Sequence, residues 1–202
     1  VTAGSVVQQA SVSLRERLLA LASECLECPE FDLVLRDGKV SPKDAPHLGL
    51  SFGELARRAR SQPEAPLSRP SDFALEVEER FSPSAVTFGS GTHIAVVEVD
   101  TDTGLVTVLD YFVVEDCGTI INPIVVDGQQ HGGVVHGLGN MLLEESVFDS
   151  SAQPMATTFL DYLLPVALDA PPITVLHSPH PTPLNPLGVK GAGEGATASA
   201  PA

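Results

Sequence analysis

THIAVVEVD, residues 92–100, followed by TDTG and then LVTVLDYFVVED, residues 105–116, is the stretch whose reading decides the fold. Both arms are rich in β-branched residues, as half-buried strands require, and the turn between them ends in glycine. A β-hairpin is predicted. Beyond it, DCGTIINP (116–123) breaks the strand pattern at Gly118 and Pro123. Residues 124–145 then read as helical, FDSSAQPM (148–155) as a second hairpin, and PITVLHS (172–178) as a last strand. Everything from Pro179 onward reads as loop by composition.

Upstream, residues 4–27 read as one long helix, with Val7, Leu14, Leu18, Leu21, Ala22 and Cys25 at spacings of three and four and Pro29 marking the end. FDLVLRDGKV (31–40) alternates Phe31, Leu33 and Leu35, then turns at Asp37-Gly38. Ser51 and Glu54 form a capping-box pattern opening a short helix. Three prolines punctuate residues 62–72, so that stretch reads as a linker between a helix–hairpin–helix portion (1–61) and the remainder (73–202). The class is α+β, with a mixed or antiparallel sheet and packed helices.

The chain has 202 residues, 43% of them hydrophobic, and a formal net charge of −15. That charge argues against a nucleic-acid grip and against anionic membrane surfaces. No apolar run approaches the roughly 18 residues of a membrane span. The start, VTAGSVVQQASVS, lacks the charged region of a secretory signal. Cys25, Cys28 and Cys117 are an odd count, which makes no disulfide framework and points to a reducing, cytoplasmic setting. Cys25 and Cys28 form a CxxC pair without a second pair, and read as small apolar residues near a helix end.

Two glycine-rich segments carry the functional question. DGQQHGGVVHGLGNMLLEE (127–145) holds Gly128, Gly132, Gly133, Gly137 and Gly139 in a helical stretch, where each glycine costs about 1 kcal/mol against alanine. Gly128 and Gly132 make one bare ridge, and Gly133 and Gly137 another. Either a helix or a ligand can approach such a ridge. Gln129 and Gln130 lie among them, and an amide both donates and accepts, which suits a polar cofactor. His131 and His136 are five apart, which is not the spacing of two ligands on one helix face. GVKGAGEGATAS (188–199) sets one base, Lys190, and one acid, Glu194, among small residues. It lacks the Gly-Lys-Ser/Thr of a phosphate loop. Its loose G-x-G-x-x-A follows no strand, so a dinucleotide fingerprint is a weak match. Glu194 is either a base in a confined site or a carboxylate facing solvent.

Taken in order, DCGTIINP, DGQQHGGVVHGLGNMLLEE and NPLGVKGAGEG closely resemble the molybdenum hydroxylase family, which comprises xanthine dehydrogenases, aldehyde oxidoreductases and aerobic carbon monoxide dehydrogenases. The match is to the C-terminal part of the large, molybdopterin-binding subunit. FGSGTHIAVVEVDTDTG resembles its central hairpin, and VTAGSVVQQAS the start of a helix after a cofactor loop, so the likeness covers essentially the whole chain. Its flavour is nearest the carbon monoxide dehydrogenase-like large chains.

The resemblance implies that molybdenum is held by the pterin dithiolene and not by protein side chains. It places the general base on Glu194 and the glutamine beside the metal centre on Gln129. Lys190, Gly191 and Gly193 fall in the loop backing the cofactor, and Thr2, Gly4 and Ser5 near its dinucleotide end. The implied cofactor is molybdenum–molybdopterin in its cytosine dinucleotide form, with iron–sulfur and flavin groups only on partner subunits. The implied reaction hydroxylates an aldehyde, N-heterocycle or purine, or oxidises carbon monoxide, with water as the oxygen source. The implied partners are the remaining N-terminal part of the large subunit, the iron–sulfur and flavin subunits, and a small-molecule substrate. By this reading the chain is a truncated piece and is expected to be inactive in isolation. Two rivals remain: a diverged, non-catalytic scaffold that packs through its glycine-rich helix, and an unrelated nucleotide-binding domain.

Overall fold

The computed structural model describes residues 1–61 and 75–200. The expected linker at 62–72 lies outside them. The chain divides into two compact units, Thr2–Ser82 and Pro83–Ala202, the latter joined by Val1.

In the first unit, α1 (Thr2–Leu26) presents its apolar stripe to a small sheet, β1 (Leu33–Arg36), β2 (Lys39–Pro42) and β3 (Leu50–Ser51), in that order and antiparallel. Leu18, Leu19, Leu21 and Ala22 of α1 close over Leu33, Val40 and Leu55, with Cys25 and Cys28 packed at the edge of this core. The β1–β2 turn has positive φ at both Asp37 and Gly38, as the Asp-Gly pair predicts. The capping box forms as well. The backbone N–H of Glu54 donates to Ser51 Oγ, 3.3 Å away, and the Ser51 N–H donates to the Glu54 carboxylate at 2.8 Å, starting α2 (Phe52–Ser61). Ser13 and Arg17 of α1 donate to Glu79 and to the Glu76 carbonyl.

In the second unit, β4 (Ser90–Val99) and β5 (Val106–Asp116) pair antiparallel, with an irregularity at Val96/Val97. β6 (Ile173–His177) joins β5 in parallel, matching Tyr111 to Ile173 and Glu115 to His177. A parallel neighbour needs a crossover, and α3 (Pro123–Leu142) lies within it. The sheet is therefore mixed. Asn122 caps α3 by accepting from Val125 N–H. FDSSAQPM makes a single bridge, Phe148 to Pro154, and no named strands. Its turn is held by the Asp149 carboxylate, which accepts from the N–H groups of Ser151 and Gln153.

The segment read as loop from Pro179 onward contains α4 (Gly195–Ser199). Composition hid it because five residues with glycine, threonine and serine among them offset the helix preference of the two alanines. Packing supplies the reason it forms: Ala196 is buried with Tyr111, Val113 and Val134 in the second core. A Cβ on Gly133 would stand 2.8 Å from Ala196 Cβ and 3.1 Å from the Thr197 nitrogen, so α4 lies on the bare backbone of α3.

The approach to α4 is tied to the end of β5. Gly118, at φ +70, bridges Val189, and a Cβ there would stand 2.2 Å from the Gly188 carbonyl. Asn185 is buried and clasps Val189 through both backbone groups, at 2.8 and 3.1 Å. Asp116 is 7% exposed. Its carboxylate accepts from Lys190 Nζ at 2.5 Å, from Gly118 N–H at 2.8 Å and from His180 N–H at 3.0 Å. Burial pushes this carboxyl up, but the lysine and the two backbone donors outweigh burial and hold it at about 2, below its ordinary 3.8.

Two outcomes are expected. Ser51→Ala should cost the unit about 1 kcal/mol in denaturant melts, the usual weight of an N-cap. A depressed carboxyl contributes stability that is present above its unfolded value near about 4 and lost as the pH falls through its folded value. Lys190→Met should therefore lower the melting midpoint at pH 5. That difference from wild type should narrow as the pH is taken toward 2, and a gap that stays constant would contradict the assignment.

Candidate functional site

The C-terminal loop reaches Glu194 with a glycine on either side, and each of these glycines meets a side chain from another element. A Cβ on Gly193 would stand 3.6 Å from the Gln129 amide nitrogen of α3. A Cβ on Gly195 would stand 2.0 Å from Glu115 Oε1 of β5, closer than any real side chain allows. Glu194 is itself exposed and sits at the N-terminal end of α4 with no side-chain capping bond. Its carbonyl accepts from the N–H groups of Thr197 and Ala198, so the backbone is committed to the helix while the carboxylate is not.

Glu194 lines a cavity of about 540 Å³, together with Gly191, Gly193, Gly195, Glu115, His93 and the stretch from Thr87 to Gly91. The His93 ring stands edge-on to Tyr111, with Nδ1 2.9 Å from the tyrosine hydroxyl, and burial pushes its pKa down. A second cavity, of about 600 Å³, is walled by residues such as Leu105, Leu138, Met141 and Pro165. Asp169 is the one charged residue on its wall, and that carboxylate already accepts from Val166 N–H. Two carboxyls and an imidazole, by contrast, stand on the wall of the smaller cavity.

Behind that cavity lies a polar cluster that periodicity does not reveal. Glu115 is 4% exposed. Burial pushes its carboxyl up; the Gln130 amide and His177 pull it back, and Asp116 adds to the rise. Gln130 is fully buried beside Glu115. His177 Nε2 is 2.6 Å from Asp127 Oδ1, while its Nδ1 is buried and unpartnered. Polar residues in a β-branched run are the signal that could have found this cluster: Glu115 stands at the end of β5, and His177 at the end of β6.

Of the residues singled out from the sequence, Gln129, Gly191, Gly193 and Glu194 come together in the second unit. Lys190 stands beside them, but its ammonium is held by Asp116. Thr2, Gly4 and Ser5 lie in the first turns of α1, in the other unit. Thr2 and Gly4 are exposed, and Ser5 is buried with an unpartnered hydroxyl. Among the described residues, no group of three His, Cys, Asp or Glu side chains is arranged to hold a metal ion. No described helix is long and apolar enough to cross a membrane.

The glycines fit a large bound group. Cβ atoms on Gly128, Gly132 and Gly191 would meet nothing within 4 Å, so packing among the described residues does not require glycine there. Bare, open backbone beside the exposed Gln129 amide suits a cofactor whose metal is carried by its own ligands.

Comparison with known proteins identifies the family. The chain is 38% identical over its whole length to the nicotine 6-hydroxylase large subunit of Paenarthrobacter nicotinovorans, of which it spans 25%. It is 28% identical to the carbon monoxide dehydrogenase large chain of Afipia carboxidovorans, over 96% of this chain and 23% of that one. Among solved structures, quinoline 2-oxidoreductase from Pseudomonas putida 86 superposes with a TM-score of 0.77 at 40% identity, covering 93% of this chain and 24% of that one. Carbon monoxide dehydrogenase from Oligotropha carboxidovorans superposes at 0.81 and 27%, covering 98% and 24%. The chain thus spans about a quarter of the length of these relatives. Residues 1–171 match the molybdopterin cofactor-binding domain, and the chain belongs to that family, with the α+β fold of the molybdenum hydroxylase large subunits.

Proposed function

We propose that this chain is the part of a molybdenum-cofactor oxidoreductase that carries the general base, and that the base is Glu194. The observation that carries this reading is the placement of Glu194. It is a carboxylate on a cavity wall, preceded by a glycine near Gln129 and followed by one packed tightly against Glu115, with its backbone locked into α4. When bound, the cofactor would supply the two-electron redox chemistry and the centre at which oxygen from water is transferred.

This chain's own residues bind, orient and move the proton. Gly128, Gly132 and Gly191 leave room for the cofactor, and Gln129 offers it an amide that can donate or accept. The cofactor is taken to be the cytosine dinucleotide form, with Thr2, Gly4 and Ser5 toward its nucleotide end. Lys190 serves through its bond to Asp116, which anchors the loop holding Gly191 and Gly193. The Glu194 carboxylate accepts the proton released as water-derived oxygen reaches the substrate. The iron–sulfur and flavin groups that take the electrons onward belong to partner subunits in this reading, and the free cysteines accord with a cytoplasmic setting.

The substrate class supported best is an N-heterocycle. The nicotine and quinoline enzymes share 38% and 40% of aligned residues with this chain, against 27% and 28% for the carbon monoxide enzymes.

The test is Glu194→Gln in the full-length, cofactor-loaded protein with its partner subunits. Turnover of an N-heterocycle should fall by roughly 10²–10⁴-fold, the range of a lost general base, while molybdenum content stays near that of wild type. Undiminished turnover would favour a scaffold role for the loop.

A further inference from the structure

Glu115 is buried in the second unit, lines the Glu194 cavity and has no part in the proton transfer proposed above. We propose that it is a positioning residue for Glu194: its carboxyl fills the place where Gly195 has no side chain and so sets the turn from which Glu194 meets the cavity. This rests on Glu194 being the base.

Glu115 Oε1 occupies the space of the missing Cβ of Gly195, 2.0 Å from its ideal position, so the carboxyl and the backbone next to Glu194 are in direct contact. Gly91, the register partner of Glu115 on β4, carries no side chain, and a Cβ there would stand 3.6 Å from Glu115 Cγ. His177, its register partner on β6, is pinned by Asp127 of α3. Gln130 comes up beneath from α3, fully buried. The Gly195 backbone, Gln130 and His177 therefore all act on one carboxyl, whose remaining face lies on the cavity.

The contact places shape, not charge, at the base of Glu194. The titratable groups around Glu115 are Asp116 and Cys117 beside it in the chain, His93 on β4, His177 on β6, Asp127 on α3 and Glu194 itself. Against that background a neutral amide of the same shape should serve as well as the carboxyl, whereas a truncated side chain should not. The gap left by truncation lets the Gly195 turn relax, and a displacement of about 1 Å at a catalytic group can cost on the order of 10² in rate.

The experiment uses the full-length, cofactor-loaded enzyme. Glu115→Ala should lower kcat by about 10²-fold at unchanged molybdenum content with KM within about threefold of wild type, and Glu115→Gln should restore kcat to within about threefold. Wild-type kcat in Glu115→Ala, or a Gln variant as slow as the Ala variant, would overturn the proposal. If Glu115→Ala does not assemble, Gly195→Ala carries the test, because its added Cβ must displace Glu115. It should lose kcat to a similar extent, and wild-type kcat there would overturn the proposal. Melting midpoints give a reading independent of turnover. Gly195→Ala should lower the midpoint in the wild-type background and leave it unchanged beside Glu115→Ser, whereas equal losses in both backgrounds would overturn the contact. Wild-type turnover in Glu194→Gln would remove the base reading alone, since the melting comparison decides the Glu115–Gly195 contact without it.

Discussion

The second unit depends on one buried carboxylate. Asp116 ends β5 and accepts at once from Lys190, from the Gly118 N–H and from the His180 N–H. Those donors come from three places: the turn after β5, the segment after β6, and the loop before α4. One side chain thereby closes the long excursion through α3 and β6 back onto the central strand. A carboxylate so buried would be costly if unpaired. Three donors, one of them charged, make it a fixed point instead. The Gly118–Val189 bridge and the Asn185 clasp lie beside it and leave the following residues little freedom.

From that fixed point the glycines divide by use. Gly133 and Gly195 are bare because another part of the protein occupies the space, Ala196 and Thr197 for the first and the Glu115 carboxyl for the second, while Gly193 stands in ordinary contact with the Gln129 amide. Gly128, Gly132 and Gly191 are bare with open space before them. The first set docks α4 on α3 and flanks Glu194. The second set leaves backbone free beside Gln129. Close packing therefore accounts for Gly133 in the glycine-rich helix, whereas Gly128 and Gly132 face open space.

Much of the fold was legible because it rests on local rules. The 92–116 hairpin, the Asp37-Gly38 turn, the Ser51–Glu54 box and the stripe of α1 depend on residues near one another in the chain. The family motifs were legible too, because three ordered segments coincide. What the sequence hid is what depends on distant contacts. α4 has almost no propensity signal and forms because Gly133 offers it a surface. Lys190 looked free for a ligand, and only the return of the chain to Asp116 shows how it is held. Glu115 and Gln130 sit in runs that read as strand and helix surface, yet both point into a buried cluster. For Glu115 the one local hint is a charged residue closing a β-branched run.

The central claim is that the loop architecture presents Glu194 to the cofactor and not to solvent. The most direct measurement is a crystal structure of the full-length protein with its molybdenum cofactor bound. It should show the Glu194 carboxylate facing the cofactor, with Gly193 against Gln129 and Gly195 against Glu115. A cofactor bound elsewhere, with Glu194 turned to solvent and Glu115 withdrawn from Gly195, would contradict the account.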